Sequence, residues 1–222
     1  MFVQNGLPWW YEAGYAAGSE RLDPGARIAA VVARDRVVGC VTYSNVRNLG
    51  PGKAHHVGDD TVILGQPDGI VGPTLERIVA VLREGGIEAK STGDIRREIW
   101  LKLWGSLAFN PISALTGATM DRIIGDAETR PLVMAMMTEA RAVAERLGVD
   151  LGATVEQRLE TAARAGAFKT SMLQDVEGGR RLEIDAILGA VADAARAVGV
   201  EAPAIGAVLG LSTQKADVLG LR

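Results

Sequence analysis

The pattern of apolar and polar positions changes character near residue 93. Before it, short β-type apolar runs alternate with turn signals, which predicts strands over 37–43, 53–57 and 61–65, with turns at 48–52 and 58–60. Residues 72–85 carry apolar side chains at helical spacing and end at a Gly-Gly pair, so they predict a helix. Residues 87–91 are expected to return as an edge strand.

After residue 93 the pattern is helical almost throughout. Helices are predicted over 94–116, 127–147, 152–165, 171–177, 183–198 and 203–218, with glycines marking the breaks. The chain therefore divides into a small mixed α/β part, residues 1–93, and an all-helical part, residues 94–222. This organisation is typical of a two-domain enzyme whose site lies where the domains meet.

The helix that contains residues 98–111 carries an unusual polar row. Lys102, Ser106 and Asn110 recur every four residues among tryptophans, leucines and a phenylalanine. Because each helical residue advances about 100°, these three positions share one sector of about 80°. A lysine in such a row snorkels to water, pairs with an anion or serves a site, and the pattern alone leaves these alternatives open.

Composition narrows the function classes. Hydrophobic residues make up 48% and charged residues 23% of the 222 positions, as in an ordinary globular protein. The net charge of −3 provides no basic surface for nucleic acid or an acidic membrane. No apolar run approaches the ~20 residues of a membrane span, and the first residues lack a signal-peptide pattern. The single cysteine, Cys40, fits a reducing cytoplasm. Adjacent His55 and His56 suit an exposed strand better than a metal site.

Four short segments of the chain match motifs that occur together in one enzyme family. The helix at 99–111 carries a K-L-x(6)-N-P pattern, and Gln4-Asn5-Gly6 is similar to an N-G turn that ends a strand of a nucleotide-binding domain. Residues 170–175 (TSMLQD) and 181–185 (RLEID) are similar to S-S-M-x-Q-D and T-E-I-D segments, and Gly199 to Pro203 matches the turn that follows. In these motifs, which occur in the same order and cover essentially the entire chain, the sequence resembles the ketopantoate reductase (2-dehydropantoate 2-reductase) family.

This resemblance implies both a fold and an activity. The fold is an α/β remnant of a Rossmann-type dinucleotide-binding domain, followed by an all-α C-terminal domain like that of 6-phosphogluconate dehydrogenase. The activity is the NADPH-dependent reduction of 2-dehydropantoate, or of a related 2-oxo acid, to the 2-hydroxy acid in pantothenate biosynthesis. The implied partners are a small-molecule 2-oxo acid and a second subunit in a homodimer, with no nucleic acid, membrane or metal.

The resemblance also assigns roles to residues. Lys102 is the expected general acid, because an ammonium stabilises a developing alkoxide and then donates its proton, and partial burial near Trp100 and Trp104 lowers its pKa. Ser106, Asn110 and Ser171 are expected to bind the substrate together with Lys102.

Asn5 and Glu183 are expected to bind the cofactor, and Glu183 could pair with Lys102. Asn110, Ser171 and Glu183 each also have a purely structural interpretation. Asn110 with Pro111 is a common turn or helix-stop dipeptide, Ser171 could cap a helix, and Glu183 could be an acid in the first turn of a helix. The sequence Trp9-Trp10-Tyr11 could line a pocket or pack against the helical domain. The methionines near residue 136 are expected to pack in the core.

Two departures from the family pattern bear on function. Ser106, Met120 and Phe168 stand where family members have polar residues, commonly asparagine, which makes the pocket less polar and favours a branched or bulkier 2-oxo acid. In addition, the chain contains no G-x-G-x-x-G, the motif that receives a cofactor's pyrophosphate at a helix N-terminus.

A fragment, a misplaced start codon or loss of the first half of a gene would each explain the missing motif. The isolated chain is therefore expected to be poorly active. The competing interpretation is a truncated, inactive relic that serves as a dimerisation or binding module.

Overall fold

A computed structural model describes residues 1–11 and 20–222 of the chain and contains two compact units. The first unit comprises residues 1–4 and 27–99, and the second comprises residues 5–26 and 100–222. Residues 5–26, which the predicted boundary at residue 93 places in the first domain, therefore cluster with the helical unit.

The first unit is built on a four-stranded sheet with the order β1-β2-β3-β4. Strands β2 (Gly39–Gly50) and β3 (Lys53–Gly65) form an antiparallel hairpin, while β1 (Phe2–Val3) and β4 (Ala89–Ser91) pair in parallel with its two outer sides. Helix α1 (Pro73–Glu84) precedes β4 in the chain. The core of this unit consists of Val38, Cys40, Val62, Leu64, Leu75, Val79 and Ala89.

The three short strands predicted at 37–43, 53–57 and 61–65 correspond to the two long strands of this hairpin. The turn expected at 48–52 is confirmed, since β2 ends at Gly50 and β3 starts at Lys53. The turn expected at 58–60 is wrong, because these residues lie inside β3, where the pairing register shifts opposite Ser44 and Asn45. A β-bulge accommodates the extra residues that the local sequence presents as a turn. His55 and His56 are exposed on β3, as predicted.

The second unit contains the helices from residue 100 onwards. Helix α2 spans Ile95–Thr116, and the following helices are α3 (Met120–Gly125), α4 (Thr129–Arg146), α5 (Val155–Ala163), α6 (Ser171–Glu177), α7 (Ala190–Ala197) and α8 (Pro203–Leu219). Helix α3 was not predicted, because six residues are too few to establish a period. The helix predicted at 183–198 is instead a π-helical turn, Asp185–Gly189, that leads into α7.

Tryptophans of α2 anchor the core of the helical unit. Trp100 and Trp104 are fully buried, and each indole N–H has a partner: Trp100 Nε1 donates to the hydroxyl of Tyr11 at 2.7 Å, and Trp104 Nε1 donates to the carbonyl of Met137 at 2.8 Å. Met136 and Met137 are buried, which confirms their predicted core role. Satisfied indole groups let these large side chains occupy the interior without an uncompensated polar atom.

Helix α8 receives its N-terminal cap from another helix. Its own flanking residue, Ala202, has no side chain that caps, and Glu139 of α4 instead accepts hydrogen bonds from the amides of Ala204 and Ile205, both at 2.9 Å. Because Pro203 has no N–H, only three backbone amides are free at this end; the carboxylate satisfies two of them and lies at the positive end of the helix dipole.

Replacing Glu139 by alanine should therefore lower the free energy of unfolding by about 1–3 kcal/mol. Glu145→Ala is the matched control, because Glu145 also lies on α4 but forms an exposed pair with Arg141, and such pairs contribute at most about 1 kcal/mol. Urea denaturation of both variants measures the difference. Equal losses would show that the cap contributes no more than a surface ion pair.

Candidate functional site

One face of α2 carries the predicted polar row. Lys102 and Ser106 are partly buried and Asn110 is 9% exposed. At a rise of 1.5 Å per residue, the row extends about 12 Å along the helix. The Ser106 hydroxyl lies 3.2 Å from the carbonyls of Lys102 and Leu103, so its proton is directed into its own helix while its lone pairs can accept.

The far end of this row meets helix α6. The amide nitrogen of Asn110 donates to the hydroxyl oxygen of Ser171 at 3.3 Å. Helix α2 continues past Pro111 to Thr116, so the helix-stop interpretation of Asn110-Pro111 is wrong. The cap of α6 is Thr170, whose side chain accepts from the amide of Leu173. The Ser171 hydroxyl is therefore not used as the helix cap.

A second hydrogen-bonded pair joins residues that lie 178 positions apart in the chain. Asn5 Nδ2 donates to a carboxylate oxygen of Glu183 at 2.7 Å. The following residue, Gly6, has φ of 73°, and its backbone lies so close to Ala186 that an added Cβ would be 2.8 Å from the Cβ of Ala186 and closer still to its carbonyl. The amide of Leu7 also donates to the Ala186 carbonyl at 2.9 Å. Glycine at position 6 is thus what allows the Asn5 turn to reach Glu183.

An arginine that the sequence did not single out stabilises the π-helical turn beside this pair. Arg21 bonds to Asp185 at 2.6 Å and to Asp193 at 3.0 Å, and its side chain passes Gly189, where a Cβ would be 2.5 Å from Arg21 Cδ. Burial by itself lowers the pKa of Arg21, but the hydrogen bonds to Asp193 and Asp185 outweigh that effect and raise it. Arg21 thus links Asp185, the first residue of the π-helical turn, to Asp193 in α7.

Comparisons with known proteins show to which family the chain belongs. The family model described as "Ketopantoate reductase PanE/ApbA C terminal" matches residues 94–216, more than half of the chain. The chain belongs to the ketopantoate reductase family. A 2-dehydropantoate 2-reductase of Mesorhizobium japonicum is 43% identical over 94% of this chain and 66% of its own length. The resemblance inferred from the four motifs is confirmed.

Solved structures of the family share the fold. A protein of Ralstonia solanacearum MolK2 with a known crystal structure is 38% identical in sequence to this chain. The two structures have a TM-score of 0.92, and the match covers 99% of this chain and 68% of the Ralstonia chain. The 2-dehydropantoate 2-reductase of Geobacter metallireducens GS-15 is 30% identical, with a TM-score of 0.80 over 96% of this chain and 67% of its own. The predicted fold class, a Rossmann-type α/β remnant followed by an all-helical domain, is confirmed.

The match covers only part of each curated relative. The chain spans 66%, 56% and 60% of the lengths of three such relatives. Within residues 1–11 and 20–222, no helix is both long and apolar enough to cross a membrane. The same described residues contain no group of three or more His, Cys, Asp or Glu side chains arranged to hold a metal ion.

All six predicted site residues of this family member lie in the second unit. Lys102, Ser106 and Asn110 share a helix face, Ser171 contacts Asn110, and Asn5 contacts Glu183. Pairing of Glu183 with Lys102 stays a prediction. Trp9, Trp10 and Tyr11 are at most 8% exposed, which supports packing over the pocket-lining alternative. Arg21 was missed because its partners lie 164 and 172 residues away, where no local pattern signals them.

Proposed function

We propose that the site on the second unit carries out the NADPH-dependent reduction of a 2-oxo acid, 2-dehydropantoate or a relative of it, to the 2-hydroxy acid. The observation that supports this most directly is the polar row of α2, which places Lys102 about 12 Å along the helix from the Asn110–Ser171 pair, within a stretch, residues 99–112, that is otherwise apolar.

Lys102 suits the proton-donating step. When the ketone is reduced, its oxygen gains negative charge and finally takes a proton. A partly buried ammonium stabilises that charge electrostatically in a medium of lower dielectric constant than water, and it can then donate the proton. The side chain of Lys102 is itself partly buried.

Asn110 and Ser171 suit the anchoring of the acid group. The Asn110 amide has two N–H donors and uses one for Ser171, and the Ser171 hydroxyl accepts that bond while its own proton is available. Two donors from different helices can thus converge on a carboxylate or hydroxyl of the substrate. Because α2 carries both this anchor and Lys102, the distance between the acid group and the proton donor is set by one rigid helix.

The Asn5–Glu183 pair fits the nicotinamide end of the cofactor. It combines amide donors with a carboxylate acceptor at the surface of the second unit, and the contact between Gly6 and Ala186 fixes its position. These are the groups that hydrogen-bond a carboxamide or ribose hydroxyls. When bound, NADPH would supply the hydride. The choice of NADPH over NADH rests on the family resemblance.

The proposal is tested by titrating this polypeptide with NADPH, followed by nucleotide fluorescence, with and without 2-dehydropantoate. Saturable binding that becomes tighter when 2-dehydropantoate is present would support a reductase site. A folded, monodisperse sample that binds neither compound would contradict the proposal and favour the dimerisation or binding module.

Removing the Asn5 side chain should weaken NADPH binding by about 10- to 150-fold, since an orienting hydrogen bond to a charged group contributes about 1.5–3 kcal/mol. In Asn5→Ala, Glu183 keeps its charge but loses its partner at 2.7 Å. Calorimetric titration of NADPH measures the change, and Gln4→Ala, one residue earlier, serves as the control. A loss of the same size in both variants would argue against a specific role for Asn5.

A further inference from the structure

The helical segment that follows Glu183 contains one turn that is wider than an α-helical turn. The amide of Ala190 donates to the carbonyl of Asp185, five residues earlier, which is the π-helical spacing of the turn Asp185–Gly189. Glu183 is tied to the start of this turn, because its carbonyl accepts from the amide of Ile187 at 3.1 Å. The wide turn therefore sets the direction of Glu183 relative to α7.

The width of this turn decides whether Glu183 meets Asn5. A π-helical turn takes up one more residue than an α-helical turn. If the turn closed to α-helical spacing, the residues before it would rotate by about 100° relative to α7. Glu183 would then turn away from Asn5, whose Nδ2 donates to its carboxylate at 2.7 Å. The hydrogen bond between these two residues thus depends on the π-helical register.

Arg21 bridges the two sides of the wide turn. Its Nη1 lies 2.6 Å from the carboxylate of Asp185, the first residue of the turn, and its Nε lies 3.0 Å from the carboxylate of Asp193 in α7. In an uninterrupted α-helix, positions 185 and 193 point about 80° apart, whereas the smaller advance per residue in a π-helical turn brings them towards one face. A single guanidinium bound to both carboxylates therefore favours the wide turn.

A glycine inside the turn leaves room for this bridge. Gly189 is buried, and a Cβ at this position would lie 2.5 Å from Cδ of Arg21 and 2.7 Å from its Nε. The Arg21 side chain thus crosses the turn in contact with its backbone. Asp193 also pairs with Arg196, so two arginines and two aspartates of this cluster balance one another. Because its charges are balanced among its own members, the cluster is suited to holding a position rather than to binding an ion.

We infer that Arg21 is a positioning residue, which holds the π-helical turn open and so keeps Glu183 directed at Asn5. This inference rests on the proposed function, because it takes the Asn5–Glu183 pair to bind the nicotinamide end of NADPH. The amide of Leu7 contacts the same turn at the carbonyl of Ala186. The N-terminal part of the second unit therefore meets the turn at two points, one through its backbone and one through Arg21.

The test measures NADPH affinity by calorimetric titration of the 222-residue chain. Arg21→Gln should weaken binding about tenfold, and no more than Asn5→Ala does, because it disturbs the pair without removing it. Arg21→Lys should cause a smaller loss, since an ammonium can pair with one carboxylate but lacks the fork that reaches both. Arg141→Gln is the control and should leave the affinity unchanged, because Arg141 also pairs with a carboxylate of the second unit, that of Glu145 at 2.7 Å.

A double variant separates positioning from a general loss of stability. If Arg21 acts through the Asn5–Glu183 pair, Arg21→Gln should cause no further loss of NADPH affinity once Asn5 is replaced by alanine. A loss of folding stability alone would instead add to the effect of Asn5→Ala. Nuclear magnetic resonance also reports the contact without the cofactor. The side-chain amide signal of Asn5, identified by its absence from Asn5→Ala, should shift in Arg21→Gln and stay in place in Arg141→Gln.

The outcomes distinguish this inference from the proposed function. If the unaltered chain binds NADPH and Arg21→Gln binds it equally well, the inference is overturned and the reductase proposal stands. Additive losses in the double variant, or an unchanged Asn5 amide signal in Arg21→Gln, would also overturn the inference. A folded, unaltered chain that binds no NADPH would overturn the proposed function and this inference together. If Arg21→Gln does not fold, Arg21→Lys provides the same comparisons.

Discussion

Lys102→Ala is expected to lower the rate of NADPH oxidation with a 2-oxo acid by about 10²–10⁴-fold, the usual contribution of a positioned general acid. It should also abolish the increase in NADPH affinity that 2-dehydropantoate causes. Both effects follow from the loss of the one ammonium in the α2 row, which would otherwise balance the charge that develops on the substrate oxygen.

Two further variants test whether the loss of activity depends on the proton of Lys102 in particular. Lys102→Arg keeps the positive charge but holds its proton too firmly to donate it, so it should preserve binding better than it preserves turnover. Lys90→Ala removes an exposed lysine paired with Glu88 in the first unit and should leave both quantities unchanged. Rates are measured under single-turnover conditions with the protein in excess over NADPH. An Ala variant that retained the unaltered rate would exclude Lys102 as the proton donor.

Gly6→Ala is expected to reduce the free energy of unfolding by roughly 3 kcal/mol or more. Two causes combine at this position. The φ of 73° is costly for any residue with a Cβ, and the new Cβ would collide with the backbone of Ala186, which cannot move aside as a flexible side chain would. The turn that carries Asn5 would then be displaced from Glu183, so NADPH affinity should fall as well.

Gly199→Ala isolates the collision from the backbone strain. Gly199 has φ of 70°, nearly the same as Gly6, but its Cβ would meet no atom within 4 Å. It should cost only about 1 kcal/mol. Thermal and urea denaturation measure the stability of both variants, and NADPH titration measures the consequence for the proposed site. Equal destabilisation by the two substitutions would show that close packing against Ala186 contributes little.

Local patterns predicted most of the helices because periodicity depends on neighbouring residues. The spacing of apolar residues in 94–116 and 203–218 gave helices that agree with α2 and α8 to within one residue at each end. The same reasoning failed at 58–60, where Gly-Asp-Asp is locally as compatible with a turn as with a bulge. Pairing with Ser44 and Asn45 on the opposite strand decides between them.

The helical half, the polar row of α2 and, through four ordered motifs, the family could all be read from the amino-acid sequence. The folded chain was needed to show which polar groups meet: Asn110 with Ser171 across 61 residues, and Asn5 with Glu183 across 178. It was also needed to show that Thr170 caps α6, that Arg21 contacts a π-helical turn, and that the amide of Met120 donates to the carbonyl of Phe168. The physical reason is that helix periods and turns arise from interactions along a few consecutive residues, whereas a site forms where segments distant in the chain pack together.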